Sequence, residues 1–183
     1  MSGLYIHIPF CSSKCVYCGF YSVPNTNHKE QYINALEKEI SLRRDYFRGG
    51  GLRTIYFGGG TPSKLEIADL GRILEKISEN FDSANVKELT LEGNPEQLTA
   101  DYCRDLRALG VNRLSIGVQS FQDPVLRFMG RRHTAEEAVK AIENAVAAGF
   151  DNISIDLIYG VSERGNEQWR EDLQTAFRMP IKH

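Results

Sequence analysis

Short β-branched runs alternate with longer amphipathic stretches along the whole chain, and the connections between them are brief. The alternation predicts strands at residues 4–8, 53–57, 86–91, 112–118 and 152–158. It predicts helices at 27–48, 64–80, 99–109, 135–148 and 167–177, with a broken helical stretch at 123–129. In the first helix Tyr32, Ile33, Leu36, Ile40 and Tyr46 recur at helical spacing, and Gly49-Gly50-Gly51 closes it. Thr134 is placed to cap the helix at 135–148, and residues 180–183 read as the entry to a sixth strand. Strand and helix in strict turn with short links define a parallel α/β sheet. No reversal interrupts the order, which favours a TIM-like (β/α) barrel over an open doubly wound sheet. A closed barrel of eight units needs about 250 residues. This chain has 183. The expectation is one domain over residues 1–183, a partial barrel of about five to six βα units, truncated from something longer.

Parallel α/β folds gather functional groups at the C-terminal ends of their strands. Here the first strand runs into Cys11, Cys15 and Cys18, and the second into Gly58-Gly59-Gly60-Thr61-Pro62. Glu92 closes the third strand, Gln119 the fourth, and Asp156 lies near the end of the fifth. Glycines let a backbone approach a ligand closely and leave N–H and C=O groups to hold a charged small molecule. A plain turn is the alternative, and the Lys-Ser/Thr of a phosphate loop is missing. Glu92 and Asp156 are expensive to bury unpaired. They read either as partners for a ligand's ammonium or ribose hydroxyls, or as caps of the next helix. Gln119 suits a hydroxyl or adenine contact. Arg131, in Gly130-Arg-Arg-His133, suits fork pairing with a carboxylate, or else belongs to a solvated basic loop. His7 shares a strand face with Tyr5 and reads as a satisfied histidine; Cys103, mid-helix with Leu106 and Leu109, reads as core.

The cysteines are spaced C-x3-C-x2-C. Three thiolates so close together suit an iron–sulfur cluster. A cubane takes four ligands, so three cysteines leave one iron open to a substrate or cofactor. A zinc site using His7 is the alternative, although structural zinc ligands usually come as two separated pairs. The start of the chain lacks the charged-then-apolar layout of a signal peptide. No apolar run approaches the ~20 residues of a membrane span. A cytoplasmic location is therefore expected, where four cysteines favour metal or catalytic use over disulfides. A net charge of −2 gives no basic excess for nucleic acid.

Together these stretches resemble the radical S-adenosylmethionine (SAM) superfamily, and within it the oxygen-independent coproporphyrinogen III oxidase-like family. The resemblance is carried by Tyr5-Ile-His-Ile-Pro-Phe-Cys11 through Ser22, Phe57 to Ser63, Leu91-Glu-Gly-Asn-Pro95, Asn112 to Phe121, Gly130 to His133, and Ser154-Ile-Asp-Leu-Ile-Tyr-Gly160. It implies a radical SAM core in which Cys11, Cys15 and Cys18 bind a 4Fe-4S cluster and SAM chelates the open iron. Gly59, Gly60 and Thr61 would meet the methionine part of SAM. Glu92, Gln119, Arg131 and Asp156 match positions that contact SAM, and Tyr5 matches one beside the cluster. In the family's enzymes a reduced cluster passes an electron to the sulfonium, and a 5′-deoxyadenosyl radical abstracts hydrogen from the substrate. The coproporphyrinogen oxidases have a further cysteine two residues past the third, where this chain has Phe20. That points to the heme-chaperone branch, with heme or a porphyrin as ligand, a heme-acceptor protein and an electron donor as partners. The alternative is radical oxidative decarboxylation of coproporphyrinogen III. The family's usual Leu-Pro-Gly-like turn is replaced by Val161-Ser-Glu-Arg-Gly165, and its C-terminal domain is expected to be absent.

Overall fold

The computed structural model of the protein describes residues 2–46, 51–161 and 165–183. Five strands form one sheet: β1 (Ser2–Ile8), β2 (Leu52–Gly59), β3 (Glu88–Gly93), β4 (Arg113–Gln119) and β5 (Ile153–Leu157). They lie side by side in chain order, and every pairing is parallel. Right-handed crossovers between sequential parallel neighbours put all the connecting helices on the same face. Those helices are α1 (Lys29–Leu42), α2 (Ile67–Asn80), α3 (Ala100–Ala108), α4 (Asp123–Phe128), α5 (Ala135–Ala147) and α6 (Gly165–Ala176). This is the partial (β/α) barrel that the alternation predicts.

Strand side chains alternate between faces. Ile6 and Ile8, Ile55 and Phe57, Leu89 and Leu91, Leu114 and Ile116, and Ile153 point towards the helices and are buried with Ile33, Ile73, Leu106 and Ile142. The opposite face is polar. Strand register aligns Tyr5, Tyr56, Thr90 and Arg113 in one row. Glu92, Ser115 and Ser154 form the next row towards the strand ends. A chain with its apolar residues on one face only leaves the other free to hold something hydrophilic.

The helix at 135–148 is realised as α5, with Thr134 Oγ1 accepting from the Glu137 N–H at 3.2 Å and Glu137 Oε2 accepting from the Thr134 N–H at 2.7 Å. The helix expected from residue 64 begins later. Pro62–Lys64 forms a 3-10 turn, and α2 starts at Ile67 because Asp69 reaches back to the Glu66 N–H at 3.1 Å. Lys29 of α1 binds the same carboxylate at 2.6 Å, so α1 and α2 are locked at that end. Within the described residues α1 stops at Leu42; Gly49 and Gly50, the expected terminator, lie outside them. The expected sixth strand is present as an extended pairing: the Lys182 N–H donates to Ile153 O at 2.9 Å, and the Ile155 N–H to His183 O at 2.9 Å.

Candidate functional site

The strand ends meet in a cleft holding about 710 Å³ of empty space, its open mouth included. Ten of the eleven side chains singled out from sequence line it: Cys11, Cys15, Cys18, Gly59, Gly60, Thr61, Glu92, Gln119, Arg131 and Asp156. Tyr5 does not. It sits on the polar face with its ring stacked on Tyr56 at 5.9 Å, and is 56 % exposed.

The cysteine loop leaves β1 through Pro9 and returns at Val23. The Cys11 N–H donates to Val23 O at 3.0 Å, and the Val23 N–H to Pro9 O at 2.8 Å, closing its base. The Val16 N–H reaches Met129 O at 3.3 Å, tying the loop to the end of α4. Opposite the loop, Gly59 turns with φ at 112°, and a side chain there would strike the His7 ring at 2.6 Å. At Gly60 a Cβ would meet Ile8 O at 2.8 Å. Both positions therefore admit glycine alone, and the turn alternative understates them: the backbone is pressed against β1 and the cysteine loop.

Two of the thiols are joined by a chain of hydrogen bonds through three other side chains. Thr61 Oγ1 donates towards Cys11 Sγ at 3.5 Å and accepts from Asn94 Nδ2 at 3.3 Å. Asn94 Oδ1 accepts from Arg131 Nη2 at 2.8 Å, and Arg131 Nη1 lies 3.8 Å from Cys15 Sγ. Asn94 was not among the predicted site residues, yet it is the centre of this chain. The only signal for it was its place in Leu91-Glu-Gly-Asn-Pro95 at the end of β3. Arg131 also donates to Gly117 O at 2.7 Å, so it belongs to the cleft rather than to a solvated loop. Tyr17, 3.5 Å from Arg131 Nη1, has its hydroxyl pushed up to about 12, chiefly by burial; Cys15 adds to the rise and Arg131 opposes it.

Neither carboxylate caps a helix among the described residues. Glu92 accepts from the Tyr56 hydroxyl at 2.7 Å and from the Gly59 N–H at 3.1 Å. That bond drives the Tyr56 hydroxyl upward after burial, which is the larger cause. Asp156 makes no hydrogen bond among the described residues. Its pKa is raised, first by partial burial and then by Glu92, against the pull of His183, Arg113 and Arg131. An unpaired carboxylate facing a cleft is poised for a cation or for hydroxyl donors. Gln119 is held at φ 69°, the one positive value on a non-glycine residue among those described. Such a conformation costs on the order of 1–3 kcal/mol and persists where the surroundings dictate it.

His7 is not a metal ligand candidate here, since its Nε2 is 3.0 Å from Tyr21 O and its Nδ1 is 3.4 Å from the Tyr5 hydroxyl. Among the described residues no three Cys, His, Asp or Glu side chains converge as a single ion requires. A cubane is wider than one ion and keeps its thiolates apart. The donor set fits one: three thiols face a common cleft, a guanidinium stands beside one of them, and the buried Arg131 Nε has no partner among the described residues. His133 is buried, with Nε2 3.0 Å from Val118 O, and Cys103 is core, its thiol pushed up to about 11 by burial. No helix among the described residues is long and apolar enough to cross a membrane.

Fold and cleft together define a (β/α) protein that presents three cysteines over a glycine-rich strand end. The family model of the radical SAM superfamily matches residues 5–176, and the chain belongs to that superfamily. Within it the chain is HemW/HemN-like. It is 39 % identical over 183 residues to the heme chaperone HemW of Lactococcus lactis, covering 100 % of this chain and 47 % of that protein. It is 38 % identical over 169 residues to the oxygen-independent coproporphyrinogen III oxidase of Escherichia coli, covering 91 % of this chain and 37 % of that one. The solved structure of coproporphyrinogen III oxidase (HemN) from Escherichia coli superposes with a TM-score of 0.88 at 36 % identity, over 96 % of this chain and 41 % of that one. The chain thus spans about half the length, or less, of the curated relatives it matches.

Proposed function

We propose that this chain is a radical-SAM-type heme chaperone domain, binding a 4Fe-4S cluster and SAM and serving heme transfer to an acceptor protein in the cytoplasm. The observation that carries the cluster and SAM reading is the convergence of the three cysteines with seven other predicted residues on one cleft. Cys11, Cys15 and Cys18 hold the cluster, leaving one iron for SAM. When bound, this pair supplies one-electron chemistry at the sulfonium. The chain's own residues bind and orient: the backbone at Gly59 and Gly60 with Thr61 meets the methionine end, Arg131 receives a carboxylate, and Glu92 or Asp156 receives the ammonium or the ribose hydroxyls. Gln119 takes a hydroxyl or adenine contact. Tyr5 enters through the family resemblance alone.

Two facts support the chaperone over the oxidase. Curated HemW proteins match over 99–100 % of this chain at 32–39 % identity, against 91 % of it for the oxidases. Phe20, which lines the cleft, stands where the resemblance places an extra cysteine in the oxidases. The oxidase reading keeps support from the 38 % identity to the Escherichia coli enzyme, and a decarboxylation assay separates the two.

The test is anaerobic reconstitution with iron and sulfide, followed by a hemin titration read by absorption, for this chain and a Cys11/Cys15/Cys18→Ala variant. Cluster absorption lost in the variant, with stoichiometric heme uptake, is expected. A cluster without heme uptake removes the chaperone assignment from this half of the family's length. No cluster at all sinks the reading.

A further inference from the structure

We propose that Asp172, on α6, is the positioning residue for Gln119, setting how that side chain is presented to the cleft. The inference rests on the reading of Gln119 as a SAM contact, but its structural part stands without it.

The Ser120 N–H donates to Val118 O at 2.9 Å across Gln119, whose φ is 69°. A bond from residue i+2 back to residue i over a positive φ is the rarer, strained form of the three-residue γ-turn. Strain of this kind survives only where neighbouring bonds over-determine the conformation. Asp172 supplies those bonds. Its Oδ2 accepts from Ser120 Oγ at 2.9 Å, and its Oδ1 accepts from the Phe121 N–H at 2.8 Å, the two residues that follow Gln119. Gln168 Nε2, one turn earlier on α6, donates to Oδ2 at 2.9 Å and holds the carboxylate in place. On the other flank the Ile158 N–H donates to Gln119 O at 2.9 Å.

Asp172 and Ser120 are both 0 % exposed, and no lysine or arginine pairs with Asp172 among the described residues. A buried carboxylate without a cation is costly, and an apolar side chain would dock α6 on the sheet at least as well. Helix packing alone therefore gives no reason for an acid at this position. Two acceptor oxygens aimed at the hydroxyl and N–H of one turn do give a reason. The clamp fixes where β4 ends, and so where the carboxamide of Gln119 lies relative to Glu92 and Asp156.

Two measurements test this on the full chain. Amide hydrogen exchange in the cluster-free protein is expected to accelerate at Ser120 and Phe121 in Asp172→Asn, with β2 amides unchanged; Ser120→Ala, which keeps the Phe121 bond, is expected to show a smaller effect at the same amides. Uniform acceleration along the chain would mean general destabilisation and would overturn the clamp. In the reconstituted protein, Asp172→Asn and Gln119→Ala are each expected to weaken SAM binding roughly tenfold, and the double variant no further than the singles. Multiplying losses, or an unchanged SAM affinity in Asp172→Asn, would overturn the positioning role. A wild-type chain that carries its cluster yet binds no SAM would instead overturn the proposed function, and the exchange result would still decide whether Asp172 holds the turn.

Discussion

Gly59 combines two constraints that only glycine meets: a φ of 112° and a Cβ position 2.6 Å from the His7 ring. Gly59→Ala is expected to lower stability by about 1–3 kcal/mol in urea unfolding and to weaken SAM binding, because the φ must change or the His7 ring must leave its place against Tyr21 O. Asp156 presents the opposite case, a residue whose native setting is electrostatically unfavourable. Its folded pKa lies above the ordinary 3.8, so the folded state holds the proton more tightly than the unfolded one. The stability it contributes is complete below the unfolded value and is lost as pH rises through the folded value. Asp156→Asn is therefore expected to melt higher than the wild type at pH 7 without ligand, and the difference is expected to vanish at pH 3. The same variant is expected to bind SAM more weakly, the usual exchange of stability for function at a site. A gain that persists at pH 3 would assign the effect to packing instead.

At the scale of elements, the cleft is held by connections rather than by strands alone. The cysteine loop is closed at its base by the pairing of Phe10 with Val23 and leans on the end of α4 through Val16 and Met129. Arg131 follows directly after that helix, so the position of α4 sets the reach of the guanidinium towards Cys15 and Asn94. Helix α5 has its own reciprocal Thr134 and Glu137 bonds, and its Ala135 N–H also donates to Asp123 Oδ1 of α4 at 2.8 Å. Thr134→Ala is expected to cost about 1 kcal/mol in urea unfolding while leaving the cluster content after reconstitution unchanged. Loss of cluster in that variant would show that α5 and the cysteine loop are more tightly coupled than their contacts suggest. The elements themselves were largely legible, because burial on one face imposes a period on the sequence. Their ends were less so. The start of α2 shifted to Ile67 through Asp69 and its bond to Lys29, a residue of another helix that no local pattern could connect to it.

For the molecule as a whole, the five strands turn one polar face inward and place every strand end around one cleft. A ligand that binds only this folded arrangement stabilises it by mass action, by about 2.7 kcal/mol at a hundredfold excess over Kd. For a domain of this size that corresponds to a rise of roughly 5–10 °C in Tm. SAM is expected to produce it in the cluster-loaded chain and not in the Cys11/Cys15/Cys18→Ala variant; an equal shift in both would place the SAM site away from the cluster. The sequence by itself determined the order of elements, the parallel sheet and ten of the cleft residues. Periodic burial and the rule that loops after parallel strands carry function leave marks within a few residues of each other. Only the tertiary structure decided that Tyr5 stands outside the cleft, that Asn94 joins Thr61 to Arg131, and that Asp172 grips the turn at Gln119. The hydrogen bonds of Asn94 to Thr61 and Arg131, and of Asp172 to Ser120 and Phe121, join residues 33 to 52 positions apart along the chain, and bonds at that separation exist only once the sheet has brought the strand ends together.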